Sequence, residues 1–252
     1  MQGGVSCTPL FLLQSEKKDG ILCKDRKKQE GRILVFEPRV KLDRLKRDVS
    51  RYDDAPIPEG GIVFYGSSGF TRWGAYNTDY GIRPLEEDIP GGVNRGFGGA
   101  TAEELLYYYP RLVRPLKPRA LVVSIIHNDR GLGYSPDEIL TNLAKIFETA
   151  RTDFPGIRLY ACDCRPTAKF VTEDRLVIMH EFNRLLREYC ERHEDTVFVD
   201  HINHPIWFED PKDVGDYKKV RTDIFVEDEI HFNQLGYDLY KVFMKEKLKE
   251  VL

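Results

Sequence analysis

Asp228 and His231 stand three residues apart in the run DEIHFNQLGY, just ahead of a helical carboxyl-terminal segment. A carboxylate at that spacing can reach the imidazole Nδ1 and leave Nε2 facing a group from elsewhere in the chain. The complementary group is Ser68, in the glycine-rich run FYGSSGF. An alcohol is a weak nucleophile near neutral pH until a base takes its proton as it attacks. His231 would be that base, and Asp228 would fix the tautomer of the ring and stabilise the imidazolium without itself taking the proton. The chemistry is that of a nucleophilic hydrolase. Each feature alone has an ordinary reading: serine and glycine dominate tight turns, and an aspartate is favoured by the backbone dipole at a helix start. Their weight comes from where the rest of the chain puts them.

From residue 61 onward, short β-branched or aromatic runs alternate with longer amphipathic segments, the pattern of parallel βαβ units. The strands are predicted at 61–66, 91–96, 120–126, 157–163 and 196–201, several of them apolar at consecutive positions, as a sheet covered on both faces requires. Thr101 with Glu104 and Ser135 with Glu138 form two capping boxes, the second with Pro136 at the first helical position. Ile139, Leu143, Ile146, Phe147 and Ala150 share one helical face; Ile178, Phe182, Leu185, Leu186 and Tyr189 share another. A last helix from about Asn233 is expected to turn Leu235, Leu239, Phe243 and Leu248 inward. In an open parallel sheet ligands bind beyond the carboxyl ends of the strands. GSSG ends the first predicted strand, the segment Asn94–Thr101 follows the second, His127-Asn128-Asp129 ends the third, and the loop carrying Asp228 and His231 returns to the same rim.

Those four ordered blocks, over about residues 61 to 252, resemble the SGNH hydrolases, also called GDSL esterases and lipases. GSSGFTRW is similar to the family's GSS opening with a tryptophan at the same spacing, here Trp73, which makes Ser68 the nucleophile. NRGFGGAT resembles N-x-G-x-x-G and implies Gly99 as a backbone oxyanion donor; the third block resembles G-x-N-D and implies Asn128 as the side-chain donor. DEIH matches D-x-x-H. The resemblance implies a three-layer α/β/α sandwich with a mostly parallel, flavodoxin-like sheet of five strands. It also implies a carboxylic ester hydrolase working through an acyl-serine, its oxyanion held by the amides of Ser68 and Gly99 and the carboxamide of Asn128. The chain departs from the pattern at Ile126, where the third block has glycine, and His127 follows it. An acyltransferase sharing the acyl-enzyme and a non-catalytic binding module of the same fold stay open as alternatives.

Composition limits the partners. The chain has 252 residues, 31% charged and 41% apolar, with a net charge of −3, which suits one α/β core and argues against nucleic acid as the main partner. The basic run Lys41 to Arg47 reads as a solvated helix face. No hydrophobic stretch approaches the ~20 residues of a membrane span, and the start lacks a cationic leader. The five cysteines, Cys7, Cys23, Cys162, Cys164 and Cys190, show no framework spacing and read as reduced thiols, so a cytoplasmic protein is expected. Residues 1–38 read as an appended arm of uncertain structure, and 39–252 as the catalytic domain with its lead-in. His201 and His204 form an H-x-x-H without a third ligand at persuasive spacing; a loop-stabilising role is expected, with no metal and no cofactor. A small ester is the expected substrate, such as an O-acetyl group on carbohydrate. His127, Trp207 and Phe208 are candidates to touch it, the last two within the long irregular stretch 201–228.

Overall fold

The computed structural model describes residues 38–73, 85–170 and 173–252. The arm expected over residues 1–38, with Cys7 and Cys23, lies outside these except for Pro38. Five strands form the central sheet: β1 Ile62–Gly66, β2 Gly92–Asn94, β3 Ala120–Ser124, β4 Arg158–Cys162 and β5 Thr196–Val199. They pair in the order β2-β1-β3-β4-β5 and every pairing is parallel, which is the flavodoxin-like order, with helices on both sides. Each predicted strand is present and each is trimmed at one or both ends. Residues Ile125 and Ile126, predicted as strand, leave the sheet and turn into the site.

Among the described residues seven α-helical segments accompany the sheet: α1 Lys46–Ser50, α2 Ser68–Thr71, α3 Ala102–Leu112, α4 His127–Gly131, α5 Pro136–Asp153, α6 Glu173–Glu191 and α7 Gln234–Lys247. Both predicted capping boxes start their helices, α3 through Thr101 and Glu104 and α5 through Ser135 and Glu138. The predicted inner face of α5 is buried throughout. In α6 the buried face is rotated toward Met179, Phe182, Leu186 and Tyr189, and Ile178 and Leu185 are only half-buried. Phe243 in α7 and Leu248 at its C-cap point inward as expected, but Leu239 is only half-buried, Leu235 is exposed, and Tyr237, Tyr240 and Met244 take the core positions. Aromatic residues were the better guide there, because a large ring buries more apolar surface than a leucine.

Reversal of strand order on either side of β1 opens a crevice at the carboxyl ends of β1 and β3. Gly66, at the end of β1, is required by packing: a Cβ there would lie 2.4 Å from the Ser124 carbonyl oxygen of β3. The chain therefore makes its turn from β1 into α2 directly against the neighbouring strand, which fixes Ser67 and Ser68 in the crevice. The basic run Lys41 to Arg47 is exposed at most positions but is not merely a solvated face. Leu45 is buried, and Arg44 reaches over to the buried carboxylate of Glu104 at 2.8 Å.

Candidate active site

Ser68 is the first residue of α2, with Ser67 as its N-cap. Its Oγ lies 2.8 Å from His231 Nε2, and His231 Nδ1 lies 2.6 Å from Asp228 Oδ2. Nδ1–H donating to the carboxylate leaves Nε2 as an acceptor for the serine hydroxyl. The other carboxylate oxygen, Oδ1, accepts the backbone amides of Ile230 and His231, each at 2.9 Å. That tight turn places Glu229 at φ 58 and is closed by the Val226 amide on the His231 carbonyl at 2.9 Å. Aspartate is suited to this position because its short side chain can bond backbone amides two and three residues ahead.

Burial pushes the Asp228 carboxyl up, but the His231 and Ile230 amides and the imidazole outweigh it and hold the group down at about 2. Asp228 is therefore ionised at any pH near neutrality. His231 is lowered from its usual value, first by burial and then by the nearby Arg72 and Arg165 guanidinium groups, with Asp228 opposing. A neutral imidazole between an ionised acid and a hydroxyl is the state a general base needs before reaction.

Asn128, in α4, donates from Nδ2 to Ser67 Oγ at 2.8 Å and to the Ala100 carbonyl at 3.0 Å. The Ser68 amide donates to the same Ser67 Oγ at 2.6 Å. Two of the three expected oxyanion donors thus converge on one point, occupied by the Ser67 hydroxyl. Gly99 sits in the turn before α3 with φ 76, its carbonyl held by Arg44 at 2.8 Å, and is not among the residues lining the cavity beside Ser68. Ile126 adopts φ 124 where the family pattern has glycine, a conformation that a β-branched residue rarely takes.

The cavity beside Ser68 has a volume of about 180 Å³, with Ile126, His127, Arg165, Ile230 and Tyr240 in its walls. His127 is half-buried within it and held neutral: burial, then Arg165 and Arg130, push it down to about 3. Trp207 and Phe208 are not in the cavity wall. Both are buried, Trp207 stacked on Phe232 at 5.4 Å between centroids and Phe208 tilted on Tyr217 at 6.2 Å, so the expectation that they contact substrate is corrected. Trp207 loses its apolar area to Phe232 and to Tyr240 and Phe243 of α7, and Phe208 packs on Tyr217 within the long loop. His201 and His204 do not face a common ligand. His201 Nδ1 lies 3.0 Å from the buried Asp163, while His204 accepts the Ile206 amide at 3.4 Å. Among the described residues no group of three or more histidine, cysteine, aspartate or glutamate side chains is placed to hold a metal ion. Nor, among them, is any helix long and apolar enough to cross a membrane.

A model of the GDSL-like lipase/acylhydrolase family matches residues 62–239, a span that takes in Ser68, Asn128, Asp228 and His231. The chain belongs to this family. No curated protein matches it. Among solved structures it is similar in fold to a GDSL-like lipase from Bacteroides thetaiotaomicron, at 21% identity and TM-score 0.66 over 84% of this chain and 100% of that one. A putative acylhydrolase from Bacteroides fragilis gives 20% identity and TM-score 0.63 over 84% and 98% of the two chains. A variant of an acetyl-xylooligosaccharide esterase from Geobacillus gives 14% identity and TM-score 0.56 over 76% and 95%. Family membership makes this chain a hydrolase acting on esters.

Three residues of this GDSL-like acylhydrolase escaped the sequence reading. Ser67 enters the sequence pattern only as part of the GSS opening, yet its hydroxyl accepts both the Ser68 amide and Asn128 Nδ2. Arg165, past the end of β4, lines the cavity and donates to the Ile230 carbonyl at 2.8 Å. Tyr237 donates to the Gly69 carbonyl at 3.0 Å and so ties α7 to the turn that carries Ser68. A cation following a strand end on the ligand rim was the available signal for Arg165; for Tyr237 there was none beyond helical periodicity.

Proposed function

We propose that the chain is a serine esterase that hydrolyses small carboxylic esters through an acyl-serine intermediate. The supporting observation is the continuous chain from Ser68 Oγ through His231 to Asp228, at 2.8 Å and 2.6 Å. Ser68 Oγ attacks the ester carbonyl as its proton passes to His231 Nε2. The imidazolium, stabilised by Asp228, then protonates the leaving alcohol as the C–O bond breaks. Water attacks the acyl carbon as it gives a proton to His231, and the imidazolium returns that proton to Ser68 Oγ as the acyl–oxygen bond breaks and the acid leaves. During both steps negative charge collects on the former carbonyl oxygen, and the Ser68 amide and the Asn128 carboxamide are the donors aimed nearest to it. Substrate enters this arrangement by displacing the Ser67 hydroxyl from the point where those donors meet. Gly99 is kept as a third donor on the family pattern alone.

The cavity of about 180 Å³, with Ile126 and His127 in its wall, suits a short acyl group such as acetyl. The fold likeness to an acetyl-xylooligosaccharide esterase is compatible with an O-acetyl group on carbohydrate. The test is mass spectrometry after fluorophosphonate treatment of the parent and of Ser68→Ala. One adduct on the parent, mapped to Ser68 and absent from the variant, is expected. Adduct on both proteins, or on neither, rejects Ser68 as the nucleophile.

A further inference from the structure

Arg165 is a cation on the wall of the catalytic cavity, half-buried, with no ion-pairing carboxylate among the described residues. Its Nη2 donates to the Ile230 carbonyl at 2.8 Å, and its guanidinium lies over the Phe232 ring at 4.0 Å, so it brackets His231 from both sides in sequence. Its Nη1 has no hydrogen-bond partner among the described residues. It lies toward the nucleophile turn, where a methyl group added to Gly69 would be 3.8 Å from it. Bracing the turn that carries His231 requires only one N–H donor. Keeping a full charge there against burial, which pulls the Arg165 pKa down, is costly unless an anion arrives to pair with it.

The surrounding field has the same sign. Beyond burial, Arg165, Arg130 and Arg175 all disfavour protonation of His127, and Arg72 and Arg165 disfavour protonation of His231. Of the acids near these groups, Asp228 is engaged by His231 and by Arg72 at 3.5 Å, and burial raises the pKa of Asp163. A cleft with low-dielectric walls and several guanidinium groups attracts anions. The side on which the anion sits follows from the proton path. His231 hands its proton to the leaving oxygen, so the alcohol half of the ester lies on the His231 side of Ser68, where Arg165 is.

We infer that the substrate's alcohol half carries a carboxylate or a phosphate, received by Arg165. This rests on the esterase reading, so the test separates the two. Binding of three acetyl esters to the full-length Ser68→Ala protein is measured by calorimetry: neutral 1-acetylglycerol, acetoxyacetate with a carboxylate, and 1-acetylglycerol 3-phosphate. A bond to a charged group makes at least one anionic ester bind about tenfold tighter or better than the neutral one, and Arg165→Gln reduces that ratio to about twofold or less. Arg165→Lys restores most of the ratio, and added salt shrinks it. The ester that gains identifies the anion. Equal binding of all three, equal weakening of all three by Arg165→Gln, or tighter binding of monomethyl succinate, which carries its charge on the acyl half, overturns the inference. Acetate release by the parent reports separately on the esterase reading: selective binding without release keeps Arg165 as an anion receptor and removes the hydrolase.

Discussion

At the scale of single residues, the proposed catalysis depends on which protonation states neighbours impose. Asp228 is held at about 2 and His231 below its usual 6.5, so the pair is an ionised acid beside a neutral base across the neutral range. Protonated His231 cannot accept the Ser68 proton. The expected profile of kcat/KM is therefore a single acid limb with its midpoint below 6.5 and a plateau above it. Arg72 depresses His231 by direct repulsion and sits 3.5 Å from Asp228 Oδ2, where it competes for the charge that would stabilise an imidazolium. Both effects have the same sign, so Arg72→Gln moves the acid limb to higher pH. A limb that stays put or moves down in a pH series of kcat/KM contradicts this account of His231. The Ser67 hydroxyl belongs to the same scale, since it already marks the meeting point of two donors.

At the scale of elements, the site is built by turns at strand ends, and the sequence was legible wherever a turn has residue chemistry of its own. GSSG, the two capping boxes and DEIH each announce a backbone conformation through side-chain acceptors or the absence of a Cβ, and each is where it was expected. What was illegible depends on contacts between distant segments: Trp207 and Phe208 as packing residues, Leu235 on the outside of α7, Arg44 reaching Glu104. No local pattern encodes those choices, because burial is decided by what the rest of the fold brings alongside. Ile126 lies between the two cases. Its type conflicted with the family's glycine, and the structure keeps the glycine-like backbone at φ 124. Such a conformation costs a β-branched residue on the order of 1–3 kcal/mol. Alanine would retain that strain and glycine would not, so the usual ranking of the two should invert. Ile126→Gly is expected to be more stable than Ile126→Ala by about 1 kcal/mol, with both below the parent because a buried side chain is lost. Urea denaturation of the three proteins checks this; alanine equal to or above glycine means that the backbone there is not strained.

At the scale of the whole molecule, stability and the proposed oxyanion site are linked through Asp129, the residue after Asn128. It is fully buried, its Oδ1 accepting the Ala102 amide at 2.8 Å while Oδ2 has no hydrogen-bond partner. Burial raises it from 3.8 to about 7 despite the backbone amides that favour its charge, and Glu104 adds to the rise. The folded chain therefore holds a proton here that the unfolded chain has released over that interval. Stability from this group is fully present below pH 3.8 and declines as pH rises toward and through about 7. In the proposed mechanism the neutral form also serves the site, because a negative charge one residue from Asn128 would repel the oxyanion that Asn128 is proposed to receive. Asp129→Asn replaces the protonated carboxyl by an uncharged group of nearly the same shape, keeping an acceptor for Ala102. The difference in Tm between variant and parent should rise with pH across this window: near zero or negative at the acid end, positive once the parent must either ionise a buried group or hold a proton against the solvent. Carboxylates that do not interact with Asp129 titrate identically in both proteins and cancel in that difference. A difference that stays constant from acid to neutral pH would show that Asp129 is ionised in the folded chain, and with it that a negative charge is tolerated beside the oxyanion donors.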